Sequence, residues 1–103
     1  AKEMKQKYEA IFIIRCNEDS KKLEETIEKI NNIVISNSFN IYYKENKGEK
    51  KLAYEVKGEK EGVYYYIKFE ISEKVNNKLD EIETKINTIE NVLKYIIIKL
   101  NEE

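Results

Sequence analysis

The chain holds 103 residues, with 19 Lys plus Arg against 20 Asp plus Glu, so 38% of it is charged while its net charge is only −1. Apolar residues make up 41% and isoleucine occurs 16 times, enough for one buried core and too much for a chain disordered throughout. Histidine is absent and cysteine occurs once, at Cys16, which removes the usual imidazole base, a thiolate metal cluster and an internal disulfide.

The length fits a single domain, residues 1–103. Its first residues, Ala1-Lys2-Glu3-Met4, carry no apolar stretch resembling a secretory signal. Met4 is a candidate natural start, so residues 1–4 are expected to be disordered or partly an addition. Residues 8–15 read as a first strand, rich in β-branched and aromatic side chains. Asn17-Glu18-Asp19-Ser20 then offers several capping oxygens. Leu23, Ile27, Ile30 and Val34 follow at i, i+4, i+7 and i+11, the stripe of an amphipathic helix.

A hairpin is predicted next, with arms at residues 39–57 and 63–71 joined by the polar loop Gly58-Glu59-Lys60-Glu61-Gly62. Its first arm is too long for one regular strand, and Asn46-Lys47-Gly48 marks a bulge or break. A second helix repeats the stripe with Val75, Leu79, Ile82 and Ile86, Ser72 standing at the N-cap position and Glu73 placed favourably against the helix dipole. Residues 92–100, with Tyr95-Ile96-Ile97-Ile98, close the chain as a strand. Apolar runs such as residues 10–14 and 95–98 fall far short of the ~18 residues of a membrane-spanning helix.

Strand, helix, strand, strand, helix, strand is the order of an α+β ferredoxin-like split βαβ fold, βαββαβ, with one four-stranded antiparallel sheet. Each helix carries a single apolar stripe, so both are expected on the same sheet face, leaving the other bare. In the third strand Ile67, Phe69 and Ile71 alternate with Lys68 and Glu70. That parity turns Tyr64 and Tyr66 outward and Tyr65 into the core. A bare face bearing aromatics admits a single-stranded RNA-binding module of RRM-like topology, with Tyr64 and Tyr66 as stacking platforms. Tyr65 stands where that motif has a small residue, and Gly62-Val63 replaces its basic-glycine pair.

Four segments in order carry a closer likeness: Lys7-Tyr8-Glu9-Ala10-Ile11-Phe12-Ile13, Gly48-Glu49-Lys50-Lys51-Leu52-Ala53-Tyr54-Glu55-Val56, Gly62-Val63-Tyr64 and Asn91-Val92-Leu93-Lys94-Tyr95. Together they resemble the bacterial small-subunit ribosomal protein six family across residues 4–100, Leu52-Ala53-Tyr54 after a basic pair being the most specific piece. The resemblance implies a structural ribosomal protein, non-catalytic, without cofactor or metal, acting in the cytoplasm. It would bind ribosomal protein eighteen as a heterodimer and the central domain of small-subunit ribosomal RNA. Lys7 and Lys94 resemble RNA-contacting positions, with Lys5 and Lys99 as further candidates near the same strand ends. Lys50, Lys51, Leu52 and Tyr54, with the outward Tyr64 and Tyr66, resemble the side that meets the protein partner.

Where relatives often carry Trp-Gly followed by arginine, this chain has Lys47-Gly48-Glu49-Lys50, without the aromatic anchor or the planar fork of arginine. Its pI of about 5.7 is low for a protein binding RNA alone. The acid is uneven, however. Residues 18–30 and 73–90 each hold five acids and three lysines, whereas residues 1–8 and 44–60 each sum to +2. Strands and hairpin can thus present a basic patch while the helical side stays acidic and solvated. An acylphosphatase-like enzyme would need a phosphate-cradling glycine loop with arginine after the first strand. Cys16-Asn17-Glu18-Asp19 offers no glycine there, and its acids would repel phosphate.

Overall fold

The computed structural model describes residues 5–16, 19–37, 40–72 and 78–100. The elements run β1 Lys5–Arg15, α1 Ser20–Asn37, β2 Asn40–Val56, β3 Glu59–Ser72, α2 Lys78–Ile86 and β4 Val92–Lys99. Four strands form one sheet in the order β2-β3-β1-β4, every neighbouring pair antiparallel. β3 lies between β1 and β2, and β1 lies between β3 and β4, so each strand-helix-strand unit is split by a strand of the other. This is the ferredoxin-like arrangement that the element order predicts.

Period-two alternation places the core. Ala10, Phe12 and Ile14 of β1 and Val63, Tyr65, Ile67, Phe69 and Ile71 of β3 are buried in one cluster with Ile30 and Val34 of α1 and Ile82 and Ile86 of α2. Both helices therefore cover the same sheet face. Phe12 sits centrally, its ring centroid 6.4 Å from that of Tyr65 and 6.2 Å from that of Tyr95, while Tyr8 stacks on Phe69 at 5.6 Å. Each fully buried Phe or Ile contributes about 1.5–3 kcal/mol relative to exposure. Tyr65 enters this core because its hydroxyl donates to Asn31 Oδ1 of α1 at 2.7 Å, so burial leaves no polar orphan. Within the stripes, Leu23, Ile27 and Leu79 are only half-buried against the cluster, whereas Ile30, Val34, Ile82 and Ile86 are fully enclosed.

Asp19 supplies the cap of α1, its Oδ1 accepting from Lys21 N at 2.9 Å; Asn17 and Glu18 lie outside the described residues. Ser72 ends β3, and Glu73 and Val75, read above as cap-proximal and stripe positions of the second helix, also lie outside them, as do residues 1–4. No helix among the described residues is long and apolar enough to cross a membrane.

The hairpin differs from its expected form. Lys57 and Gly58 alone make the turn, with φ of 51° and 82°, and pairing resumes at once as Val56 faces Glu59. Two successive left-handed residues define a type I′ turn, whose twist matches the flanking strands. Residues 59–62, taken from their polarity as loop, are the start of β3. Asn46-Lys47-Gly48 does form a bulge: pairing slips between Asn46 and Gly48, Gly48 has φ 86°, and its N–H donates to Asn46 Oδ1 at 2.8 Å.

Candidate functional site

The sheet face opposite the helices is built by the residues that alternate with the core. β1 contributes Ile11 and Ile13, β3 Tyr64 and Tyr66, and β4 Lys94, Ile96 and Ile98. Ile96 and Ile98 remain 47% and 45% exposed on this edge strand. Sequence parity would have found Ile11, Ile13 and Ile96, since they alternate with Ala10, Phe12 and Ile14 or with Tyr95 and Ile97.

The hairpin end leans over this face for a reason visible in the register. Lys51 faces Glu61 and Val56 faces Glu59, so residues 52–55 stand opposite Lys60 alone. This excursion of Leu52-Ala53-Tyr54-Glu55 bends the arm and roofs an open groove of about 260 Å³ lined by Ile11, Ile13, Leu52, Ala53, Tyr54, Val56, Tyr64, Tyr66, Lys94 and Ile96. Tyr54 is 64% exposed at its rim and so is not a core residue. Lys94 of β4 reaches across to it. Its Nζ donates to the Tyr54 hydroxyl at 3.0 Å and stands 5.4 Å from the ring centroid. That bond, and secondarily the lysine's charge, lowers the Tyr54 phenol from its ordinary 10.0.

The same motif recurs along the face. Lysine amines lie over tyrosine rings at Lys50 on Tyr64, 5.7 Å, Lys47 on Tyr66, 5.2 Å, Lys68 on Tyr43, 5.3 Å, and Lys7 on Tyr42, 5.5 Å. Each is worth about 0.5–1 kcal/mol at an exposed site. Tyr42 and Tyr43, which sequence reading passed over, share this face because pairing slips between Ile41 and Tyr43. The acid is tied in as well: Glu45 accepts from the Tyr43 hydroxyl and pairs with Lys47 at 3.1 Å. Arg15, the chain's one arginine, is held by Glu59 at 2.8 Å.

The structure thus gathers the expected partner residues Lys50, Leu52, Tyr54, Tyr64 and Tyr66 around one surface, with Lys51 exposed on the hairpin beside them. It divides the expected RNA residues. Tyr8 faces Lys99 and Ile13 faces Lys94 across the β1–β4 pair, so Lys5, Lys7 and Lys99 lie towards one end of the sheet and Lys94 at the hairpin end, about 17 Å away at 3.4 Å per residue. Lys7 and Lys94 therefore do not form one patch. Antiparallel pairing sets the start of each of these strands beside the end of the other. Lys99, opposite the core-facing Tyr8, also has the parity of the helix-covered face.

Cys16 follows β1 in a half-buried position. Burial first, then a hydrogen bond with Glu49 and the charges of Glu49, Glu61 and Glu59, pushes its thiol from 9.0 up to about 11. A nucleophilic thiolate needs the opposite environment.

Comparison with known proteins accords with this geometry. The family model described as Ribosomal protein S6 matches residues 7–99, all but the two ends of the chain. The chain belongs to the ribosomal protein S6 family. Among S6 relatives, the small ribosomal subunit protein bS6 of Fusobacterium nucleatum is 38% identical over 90% of this chain and 96% of its own length. That of Rickettsia prowazekii is 30% identical over 89% and 74%. The crystal structure of 30S ribosomal protein S6 from Thermotoga maritima superposes with a TM-score of 0.82 at 25% identity, covering 94% of this chain and 89% of that one. S6 membership makes this a ribosomal protein of the small subunit, whose place is the cytoplasm.

Proposed function

We propose that the chain is a non-catalytic structural component of the small ribosomal subunit that pairs with ribosomal protein eighteen through its hairpin and open sheet face. Joined in this way, it contacts the central domain of small-subunit ribosomal RNA. The observation that carries this reading is the apolar groove of Ile11, Ile13, Leu52, Val56 and Ile96 standing open beside the exposed Tyr54, with lysines at its margin. Such a patch with an aromatic at its edge and charge around it has the make-up of a protein interface.

Phosphate contact is assigned to lysines, Lys7 and Lys5 first, with Lys99 near the same end of the sheet and Lys94 apart from them at the hairpin end. Lysine supplies charge without a bidentate fork, so this part of the affinity is salt-sensitive and secondary to the protein contact. The test is reconstitution. The purified chain mixed with ribosomal protein eighteen forms a heterodimer without RNA, and that heterodimer binds central-domain RNA more tightly than either protein alone. Equal RNA affinity with and without the partner, and no complex between the proteins, would overturn the reading. A stand-alone single-stranded RNA module is the second reading, supported by Tyr64 and Tyr66 lying together on the open face beneath Lys50 and Lys47. Saturable binding of a short unstructured RNA by the isolated chain in low salt would favour it.

A further inference from the structure

Residues 52–55 face only Lys60 across the hairpin, so the strand ladder does not fix them. Two other contacts do. Leu52 packs beside Gly62, its Cδ2 only 3.7 Å from where a Cβ on that glycine would lie, and Tyr54 is held from the far edge of the sheet by Lys94. β4 is not a neighbour of β2, because β1 and β3 lie between them. The Lys94–Tyr54 pair is therefore a clasp across the whole open face, and the groove of Ile11, Ile13, Tyr64, Tyr66 and Ile96 lies under it.

We propose that Lys94 is a positioning residue for the protein-partner surface: it sets where Tyr54 stands over the groove, and so acts on partner affinity through Tyr54. This rests on the reading of the hairpin as the partner side, and it changes the role of Lys94 from the phosphate contact that sequence likeness implies. An exposed hydrogen bond and a cation–π contact bias the position of such a segment and do not lock it. Preorganisation of that kind lowers the ordering cost on binding and shows chiefly in the dissociation rate.

The experiment uses the full chain with Lys94→Met, which keeps the apolar stem, Lys94→Arg, which keeps a donor and the cation, and Tyr54→Phe. Heterodimer affinity for ribosomal protein eighteen is measured calorimetrically without RNA, and the Tyr54 phenol is titrated by NMR in the folded parent and in the two Lys94 variants. Lys94→Met should weaken the heterodimer about three- to tenfold and Lys94→Arg by less than about twofold. Tyr54→Phe, which loses only the hydroxyl bond, should fall between them. In Lys94→Met the Tyr54 phenol should return upward towards its ordinary value, a readout that loss of general packing would not produce. If the phenol moves but Lys94→Met binds the partner like the parent, the clasp exists without positioning anything and the inference is wrong. If the phenol does not move, there is no clasp and the inference is equally wrong. Failure of the parent chain itself to bind the partner would instead remove the partner reading, and the inference with it, whatever the titration shows.

Discussion

Gly62→Ala isolates the packing that seats the hairpin. Gly62 lies in β3 opposite Arg15 on one side and Lys50 on the other, and it is not among the residues with positive φ, so backbone conformation is no reason for a glycine there. Space is the reason. A Cβ would stand 2.5 Å from Ile13 Cγ2, 3.4 Å from the Ile14 carbonyl oxygen and 3.7 Å from Leu52 Cδ2. Carbon atoms pack best at about 3.5–4.0 Å, so the Ile13 methyl must retreat by roughly 1 Å, against a stiff β-branched χ1. Overpacking of this kind costs about 1–3 kcal/mol. Restricting the unfolded chain returns about 0.4–1 kcal/mol. The net expectation is a loss of roughly 0–2.6 kcal/mol in urea unfolding, with an unchanged m-value. Combining it with Ile13→Ala removes the obstructing methyl, so the double variant should be more stable than the sum of the singles predicts, by at least about 0.5 kcal/mol. Gly58→Ala provides a contrast: nothing lies within 4 Å of its Cβ position, yet its φ of 82° imposes about 1–2 kcal/mol of strain that Ile13→Ala cannot relieve. A Gly62→Ala variant more stable than the parent, or strict additivity with Ile13→Ala, would refute the packing argument.

Three further outcomes follow from the same structure. Ile82→Ala, at a fully enclosed position, should cost about 2–5 kcal/mol in chemical unfolding, and Leu79→Ala distinctly less because its side chain is half-buried; equal costs would contradict the assigned core. The Cys16 thiol should titrate near 11 by its thiolate absorbance, and stability linked to it should be complete below pH 9 and lost as pH rises towards 11, because the unfolded chain ionises first; a thiolate forming at or below pH 9 would contradict this. Lys7→Ala in the heterodimer should lower affinity for every RNA sequence alike and reduce the salt slope by about one unit, whereas an unchanged slope would remove Lys7 from the RNA surface.

The sequence made the core legible wherever one period ran unbroken. The stripe through Ile30 and Val34 fixed the face of α1, and the alternation from Val63 to Ile71 separated Tyr65 from Tyr64 and Tyr66. Period alone could not rank burial within a stripe, because Ile27 and Leu79 lie on its flank and Ile30 and Ile82 at its centre. Residues 59–62 read as loop because Glu59-Lys60-Glu61-Gly62 holds no apolar side chain and so lacks the alternation on which strands are recognised, leaving turn chemistry at Lys57-Gly58 as the better guide. The site was readable in part. Leu52, Tyr54, Tyr64 and Tyr66 came from motif likeness and parity, but the Lys94–Tyr54 clasp joins residues 40 apart through a four-residue bulge that no local pattern announces. The β1–β4 register, which places Lys7 and Lys94 at opposite ends, is likewise not given by any local pattern.

Chemical-shift perturbation of the isotope-labelled chain on addition of unlabelled ribosomal protein eighteen tests the central claim most directly. The account predicts the largest changes at Leu52, Tyr54, Tyr64, Tyr66, Lys94 and Ile96, with the exposed outer positions of α1, such as Glu24 and Glu28, left nearly unmoved. Changes concentrated on the helical side, with the hairpin and the open sheet face silent, would contradict it.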